Sequence, residues 1–142
     1  MRRLFNVFSF FLVLLMLLAL PSVAFAQDDQ PKTGAGGLVL YTVYPAQTIG
    51  LGETVTFNLK LTGVSEAQVV KMEMDTLADG WTATFRGSGK LIQSVYVQTT
   101  GEASVDLKLE PVTDVQPGTY NFVVAAVGRG GGPLGRLAPQ AH

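Results

Sequence analysis

The sequence of 142 residues contains no cysteine, one tryptophan and one histidine, which is the last residue, His142. No disulfide, thiol nucleophile or thiolate metal site can therefore form. A lone terminal histidine also supplies no base beside a serine and no histidine cluster for a metal ion. Asp75 and Asp79 are carboxylates within one predicted turn, where such residues usually bond their own backbone. We expect no catalytic residue, no metal ion, no cofactor and no enzymatic activity.

Long hydrophobic runs are also scarce, and the single one covers residues 4–20. It follows Arg2 and Arg3 and precedes Pro21 and the small-residue site at 24–26, an order typical of a secretory signal peptide. The sequence predicts a signal peptide over residues 1–26 and a mature chain beginning at Gln27. An uncleaved membrane anchor is the alternative, although 17 residues are at the short end for a span. We expect the protein to be secreted or to lie in the extracytoplasmic cell envelope.

Positive charge is sparse once this leader is set aside. The ten basic residues include Arg2 and Arg3, so eight basic and eleven acidic residues remain, a net charge of −3. No basic cluster is present to neutralise a phosphate backbone or to bind an anionic bilayer. We therefore expect no nucleic-acid partner, and membrane contact only through the leader or a lost C-terminal segment.

What remains alternates between apolar and polar residues with the period of β-strands. Residues 27–37 are polar and glycine-rich and predict a flexible linker. Residues 38–127 then predict one all-β domain, an immunoglobulin-like β-sandwich with a single core. The seven predicted strands cover residues 38–44, 54–61, 70–74, 81–85, 92–97, 104–109 and 120–126.

The strand that follows Pro117 and Gly118 organises this prediction. Tyr120 stands at its start, and its hydroxyl is expected to bond to nearby backbone as in the tyrosine corner of such sandwiches. Inward positions of the strands give the predicted core, which consists of Val55, Phe57, Leu59, Trp81, Phe85, Val105, Leu107, Tyr120, Phe122 and Val124.

Three segments resemble the NPCBM-associated domain of α-galactosidases, in the same order and spacing. They are GETVTF at 52–57, GWTATF at 80–85 and PGTYNF at 117–122, within a match over about residues 38–127. The resemblance implies an immunoglobulin-like accessory module of glycosidases or of exported envelope proteins, without catalytic residues to carry over. The sequence departs from the family at Leu77-Ala78-Asp79, where a proline is usual, and after Val127, where the family has one more strand.

Residues 128–142 show glycine and proline where that last strand is expected, and they predict a disordered tail. The domain would then be truncated, and the strand after Tyr120 would keep one unpaired edge. Such an edge predicts pairing with other domains or chains.

Two functions of different class follow. The first is a structural or protein-interaction module, in which Trp81 is buried. The second is a carbohydrate-binding module, which needs at least two of Tyr41, Tyr44, Trp81 and Tyr96 on one solvent-exposed face for stacking on glycans. The exposure of these four aromatic rings therefore separates the two hypotheses.

Overall fold

The computed structural model describes residues 35–112 and 115–142. The predicted signal peptide and linker residues 27–34 lie outside these residues. One 3-10 turn, Ala35–Gly37, precedes strands that confirm the predicted all-β class. The strands are β1 (Val39–Thr42), β2 (Ala46–Gln47), β3 (Val55–Thr62), β4 (Gln68–Thr76), β5 (Trp81–Gly87), β6 (Lys90–Leu91), β7 (Ser94–Val97), β8 (Ala103–Pro111), β9 (Tyr120–Asn121), β10 (Val123–Val127), β11 (Pro133–Leu137) and β12 (Gln140–Ala141).

Two main sheets form a β-sandwich with immunoglobulin topology. The first has the strand order β1-β3-β8-β5-β6, and the second has the order β11-β10-β4-β7. In sheet order, β1, β3, β8 and β5 occupy the positions of strands A, B, E and D, while β11, β10 and β4 occupy those of G, F and C. Strand β7 extends the second sheet beyond β4, to which it pairs antiparallel.

Each long strand buries one face because its apolar residues alternate with polar ones. Along β3, Val55, Phe57, Leu59 and Leu61 are buried, and the residues between them face outward. Strand β8 pairs with β3 antiparallel, with Phe57 opposite Leu107 and Leu59 opposite Val105, so the buried residues of both strands meet on the inner face.

A third, small sheet crosses one end of the sandwich. Strand β12 pairs in parallel with β2 and antiparallel with β9. The strand predicted as continuous over 120–126 is therefore divided at Phe122, because Tyr120 and Asn121 pair with β12 whereas Val123–Val127 pairs with β4 and β11. The backbone N–H of Phe122 donates to the carbonyl of Pro139 at 3.1 Å between these two ladders.

The prediction of a disordered tail over residues 128–142 is wrong. Residues 128–132 form a turn, closed by a bond from Gly128 N–H to the carbonyl of Gly132 at 3.2 Å, and β11 then pairs with β10. Pro133 is tolerated because it is the first residue of an edge strand. Strand β10 therefore has partners on both sides, and the predicted unpaired edge is absent.

The boundaries of the predicted domain, 38–127, change accordingly. The described residues as far as His142 belong to one compact unit. At the other boundary, the last linker residues 35–37 are ordered against the domain, because Ser65 N–H donates to the carbonyl of Gly36 at 3.1 Å. Gly37 lies so close to Gly63 that an added Cβ would stand 2.7 Å from the Gly63 carbonyl oxygen. Leu38, directly after it, is fully buried.

None of the described segments is a helix with the length and hydrophobicity that crossing a bilayer requires.

Candidate functional site

Trp81 lies in the core at the start of β5. Gly80, with φ of 79°, turns the chain into this strand, and Trp81 N–H donates to the carbonyl of Ala78 at 3.2 Å. The tryptophan is 5% exposed, and its ring centroid lies 5.3 Å from that of Tyr120 and 5.4 Å from that of Phe122. The ring planes are tilted by 55° and 74°, the edge-to-face range that aromatic pairs favour. This ring is therefore a packing element and offers no face to a sugar.

Tyr120 forms the predicted tyrosine corner. Its hydroxyl donates to the backbone carbonyl of Gln116 at 2.6 Å, four residues earlier in the chain. The bond fixes the loop before β9 against the ring that covers Trp81. This confirms the role predicted for Tyr120.

A small cavity of about 40 Å³ lies beside these rings. Its wall combines the turn at 49–52, the loop at 115–118, Trp81, Tyr120, Ala141 and His142. The space holds no more than a few water molecules, since one probe sphere of water needs about 10–15 Å³. The indole Nε1 of Trp81 is buried without a protein partner. A cavity of this size does not accommodate a sugar ring.

The remaining tyrosines belong to different elements of the fold. Tyr41 belongs to β1 in the first sheet, and Tyr96 belongs to β7 in the second. Tyr44 lies in the connection between β1 and β2 and is 71% exposed, compared with 58% for Tyr96. With Trp81 in the core, the described residues offer no pair of these aromatics on one sheet.

A charged cluster occupies the outer face of the first sheet. Lys60 Nζ lies 2.6 Å from a carboxylate oxygen of Glu102 and 3.0 Å from Ser104 Oγ, and the hydroxyl of Tyr41 donates to the other Glu102 oxygen. The hydrogen bonds from Lys60 and then Tyr41 lower the pKa of Glu102. The same bonds to Glu102 raise the pKa of Lys60 and of Tyr41. The cluster links β1, β3 and the turn before β8 on a solvated surface.

The two carboxylates considered at the sequence level have separate surroundings. Asp75, at the end of β4, accepts a hydrogen bond from Arg136 of β11 at 3.2 Å. Asp79 is exposed in the turn before Trp81. Across the part of the chain that the structure describes, no three His, Cys, Asp or Glu side chains are grouped as metal ligands.

Most of the predicted core residues are buried. Only two of the ten, Phe85 and Tyr120, are partly exposed, and both pack against the core. Met72 is buried and Met74 packs beside it, so the methionine pair of β4 serves the interior. Sequence reasoning missed the contribution of the last strands, which add Leu134, Leu137 and Ala141 to the core. In the structure, buried or half-buried residues 135, 137, 139 and 141 alternate with exposed ones, but these four include glycine and proline, so the sequence carries only a weak strand signal.

Comparison with known proteins gives structural similarity without sequence similarity. No known protein family matches the sequence, and no curated protein matches it. The crystal structure of a FixG-related protein from Vibrio parahaemolyticus is similar with a TM-score of 0.51 and 9% identity, over 74% of this chain and 93% of that one. A family 123 glycoside hydrolase from Clostridium perfringens gives a TM-score of 0.44 and 11% identity, over 68% of this chain and 21% of that one. The chain thus shares a β-sandwich fold with the FixG-related protein.

Proposed function

We propose that this chain is a non-catalytic, extracytoplasmic accessory module with a structural or protein-interaction role in a cell-envelope or glycosidase-associated protein. The burial of Trp81 against Tyr120 and Phe122 carries the proposal. This burial assigns the one tryptophan to the core and leaves it unavailable for stacking on a glycan. The surfaces that remain for partners are the loops and the outer faces of the sheets. Export is supported by the leader pattern of residues 1–26.

The three segments that resemble the NPCBM-associated domain support the same role. GETVTF runs from a turn into β3, GWTATF runs from the turn at Gly80 into β5, and PGTYNF contains the tyrosine corner. Each motif thus has a structural task at a strand entrance, and none contributes a reacting group. An accessory module of the kind implied by that family uses its residues in this way.

The carbohydrate-binding alternative is tested by titrating the protein with oligosaccharides. A buried indole should emit at short wavelength, and we expect neither the wavelength nor the intensity to change on addition of glycans. Tyr44→Ala and Tyr96→Ala provide matched variants, because both rings are exposed and neither belongs to the core. Saturable glycan binding that either variant abolishes would overturn the structural role.

Two further measurements test the other parts of the proposal. Incubation with chromogenic glycosides should release no product above the rate without protein. N-terminal sequencing of the chain recovered outside the cytoplasm should begin at Gln27. Retention of the whole chain in the cytoplasm would contradict the proposed location.

A further inference from the structure

Most of the large exposed hydrophobic side chains lie at one end of the sandwich. This end, here called the Trp81 end, comprises the loops 43–54, 77–80, 110–112, 115–119 and 138–142. Strand pairing places them together, because the start of β3 lies beside the end of β8, and the end of β8 lies beside the start of β5. Five of the eight large hydrophobics with exposed side chains belong to these loops, namely Val43, Tyr44, Leu51, Leu77 and Val112.

Hydrogen bonds join these loops in two groups, and residues 49–52, 115–118, Trp81 and His142 line one small cavity. Gln140 N–H donates to the carbonyl of Pro45 at 2.7 Å, and Ile49 N–H donates to that of His142 at 3.0 Å. Val112 N–H donates to the carbonyl of Gly80 at 2.8 Å, which holds two further loops together. The exposed apolar side chains therefore belong to hydrogen-bonded loops at one end of the sandwich. Exposed apolar surface that is gathered in one region is typical of interaction sites.

With His142 neutral, the Trp81 end carries a negative formal charge. Its loops contain no lysine or arginine, and their acidic residues are Glu53, Asp79 and Glu110. Glu110 is paired with Lys108 at 2.7 Å, so Glu53 and Asp79 supply the negative charge of the loops. A negatively charged surface is repelled by anionic bilayers, which bind basic segments. The chemistry therefore favours a partner that is apolar and basic.

The opposite end of the same molecule has this chemistry. Strands β5 and β6 form a hairpin whose two loop residues, Ser88 and Gly89, have φ of 50° and 80°, which matches a type I′ turn. Arg86 donates to the carbonyl of Gly89 at 3.1 Å and braces the tip. Lys90 is exposed beside Leu91, which is 67% exposed. The hairpin therefore presents the cationic side chain of Lys90 next to the exposed aliphatic side chain of Leu91.

We propose that the Trp81 end of one copy binds the β5–β6 hairpin of a second copy, head to tail. Leu91 would contact the apolar loop residues, and Lys90 would face Glu53 and Asp79. The inference rests on the proposed interaction role and names its partner. Because the two surfaces lie at opposite ends, the contact is heterologous and extends into a row of copies. A contact made by one hairpin is small, so the association is weak and requires concentrated protein.

Two variants of the full chain test this arrangement, each altering exposed side chains at one end. Leu51→Lys with Asp79→Lys changes the Trp81 end, and Lys90→Glu with Leu91→Glu changes the hairpin. In sedimentation velocity, the wild-type mass should rise with concentration, whereas each variant alone should remain at the mass of one copy. An equimolar mixture of the variants should form a dimer and stop, because each retains one unaltered surface. Any association through residues 1–26 is equal in all samples.

Cross-linking locates the contact, since a chain without cysteine accepts single cysteines as unique probes. A mixture of the Ser88→Cys and Thr54→Cys proteins, which keep Lys90, Glu53 and Asp79, should give a disulfide heterodimer on mild oxidation. Asn58→Cys, on the polar outer face of β3, is the control and should give none with either protein. Equal disulfide yields from the three pairwise mixtures would overturn the proposal. Identical sedimentation of the wild type and the two charge variants would overturn it as well.

A vesicle-binding experiment tests whether the Trp81 end binds a lipid surface instead of a second copy. If the wild-type protein is monomeric and binds phosphatidylcholine vesicles, and the variant of this end does not, the surface binds lipid and the proposal is wrong. The proposed function is judged separately by glycan titration. If the protein associates head to tail and also binds glycans, only the proposed function is wrong. If it neither associates nor binds glycans, only this inference is wrong.

Discussion

Substitution of Gly135 tests β11, a strand that the sequence did not predict. An added Cβ at this buried position would lie 3.3 Å from Cβ of Leu40 and 3.7 Å from both Cδ2 of Leu38 and N of Leu40. Leu40 cannot easily move away, because it is fully buried and its backbone pairs with Leu61. Gly135→Ala must therefore separate β11 from β1 by a few tenths of an ångström.

The magnitude follows from two opposing terms. Overpacking a filled core costs about 1–3 kcal/mol. Replacing glycine by alanine also restricts the unfolded chain, which stabilises the folded state by about 0.4–1 kcal/mol. We expect a net loss of about 1 kcal/mol for Gly135→Ala, which lowers the melting temperature of a domain of this size by about 4–8 °C. Gly135→Val adds two further methyl groups to the same space and should lose more.

Gly132→Ala is the matched control, because no atom lies within 4 Å of its added Cβ. Its melting temperature, followed by circular dichroism, should be unchanged or slightly higher. Amide exchange in the wild-type protein should be slow over β11, where the backbone is paired with β10. Equal melting temperatures for Gly135→Ala and Gly132→Ala, with fast exchange over 133–137, would refute β11 and support the predicted disordered tail.

Three further predictions concern the core and the charged cluster. Trp81→Ala should lower the free energy of unfolding by about 3–5 kcal/mol in urea denaturation, because it removes a buried ring from contact with Tyr120 and Phe122; a loss below about 1 kcal/mol would contradict its burial. Tyr120→Phe should lose about 0.5–1.5 kcal/mol with an unchanged circular dichroism spectrum, because only the bond to Gln116 is removed; no loss would contradict the tyrosine corner. The lowered pKa of Glu102 contributes stability above the carboxyl's usual titration range, and this contribution disappears as the pH falls through the folded-state pKa. Unfolding of Glu102→Gln should thus be less sensitive to acid over this range, and an unchanged pH profile would show that the bonds from Lys60 and Tyr41 do not stabilise the fold.

The sequence by itself determined the fold class and most of the core. Strands such as β3 and β8 alternate strictly, so their large inward residues could be assigned without knowing any partner strand. The tyrosine corner was also predictable, because it depends on a turn and a tyrosine four residues apart. Strand alternation and the tyrosine corner each depend on residues close together in the chain, so the sequence pattern is enough to predict them.

Only the tertiary structure decided the end of the chain and the surfaces. Residues 135, 137, 139 and 141 alternate inward, but they are Gly, Leu, Pro and Ala, whose strand propensity is mostly low. Gly135 suits β11 because β1 passes close to it, and Pro133 is acceptable because β11 is an edge strand. The two ends of the sandwich likewise gather loops that are far apart in sequence. Propensity is a property of one segment, whereas these placements depend on neighbours that only the folded chain supplies.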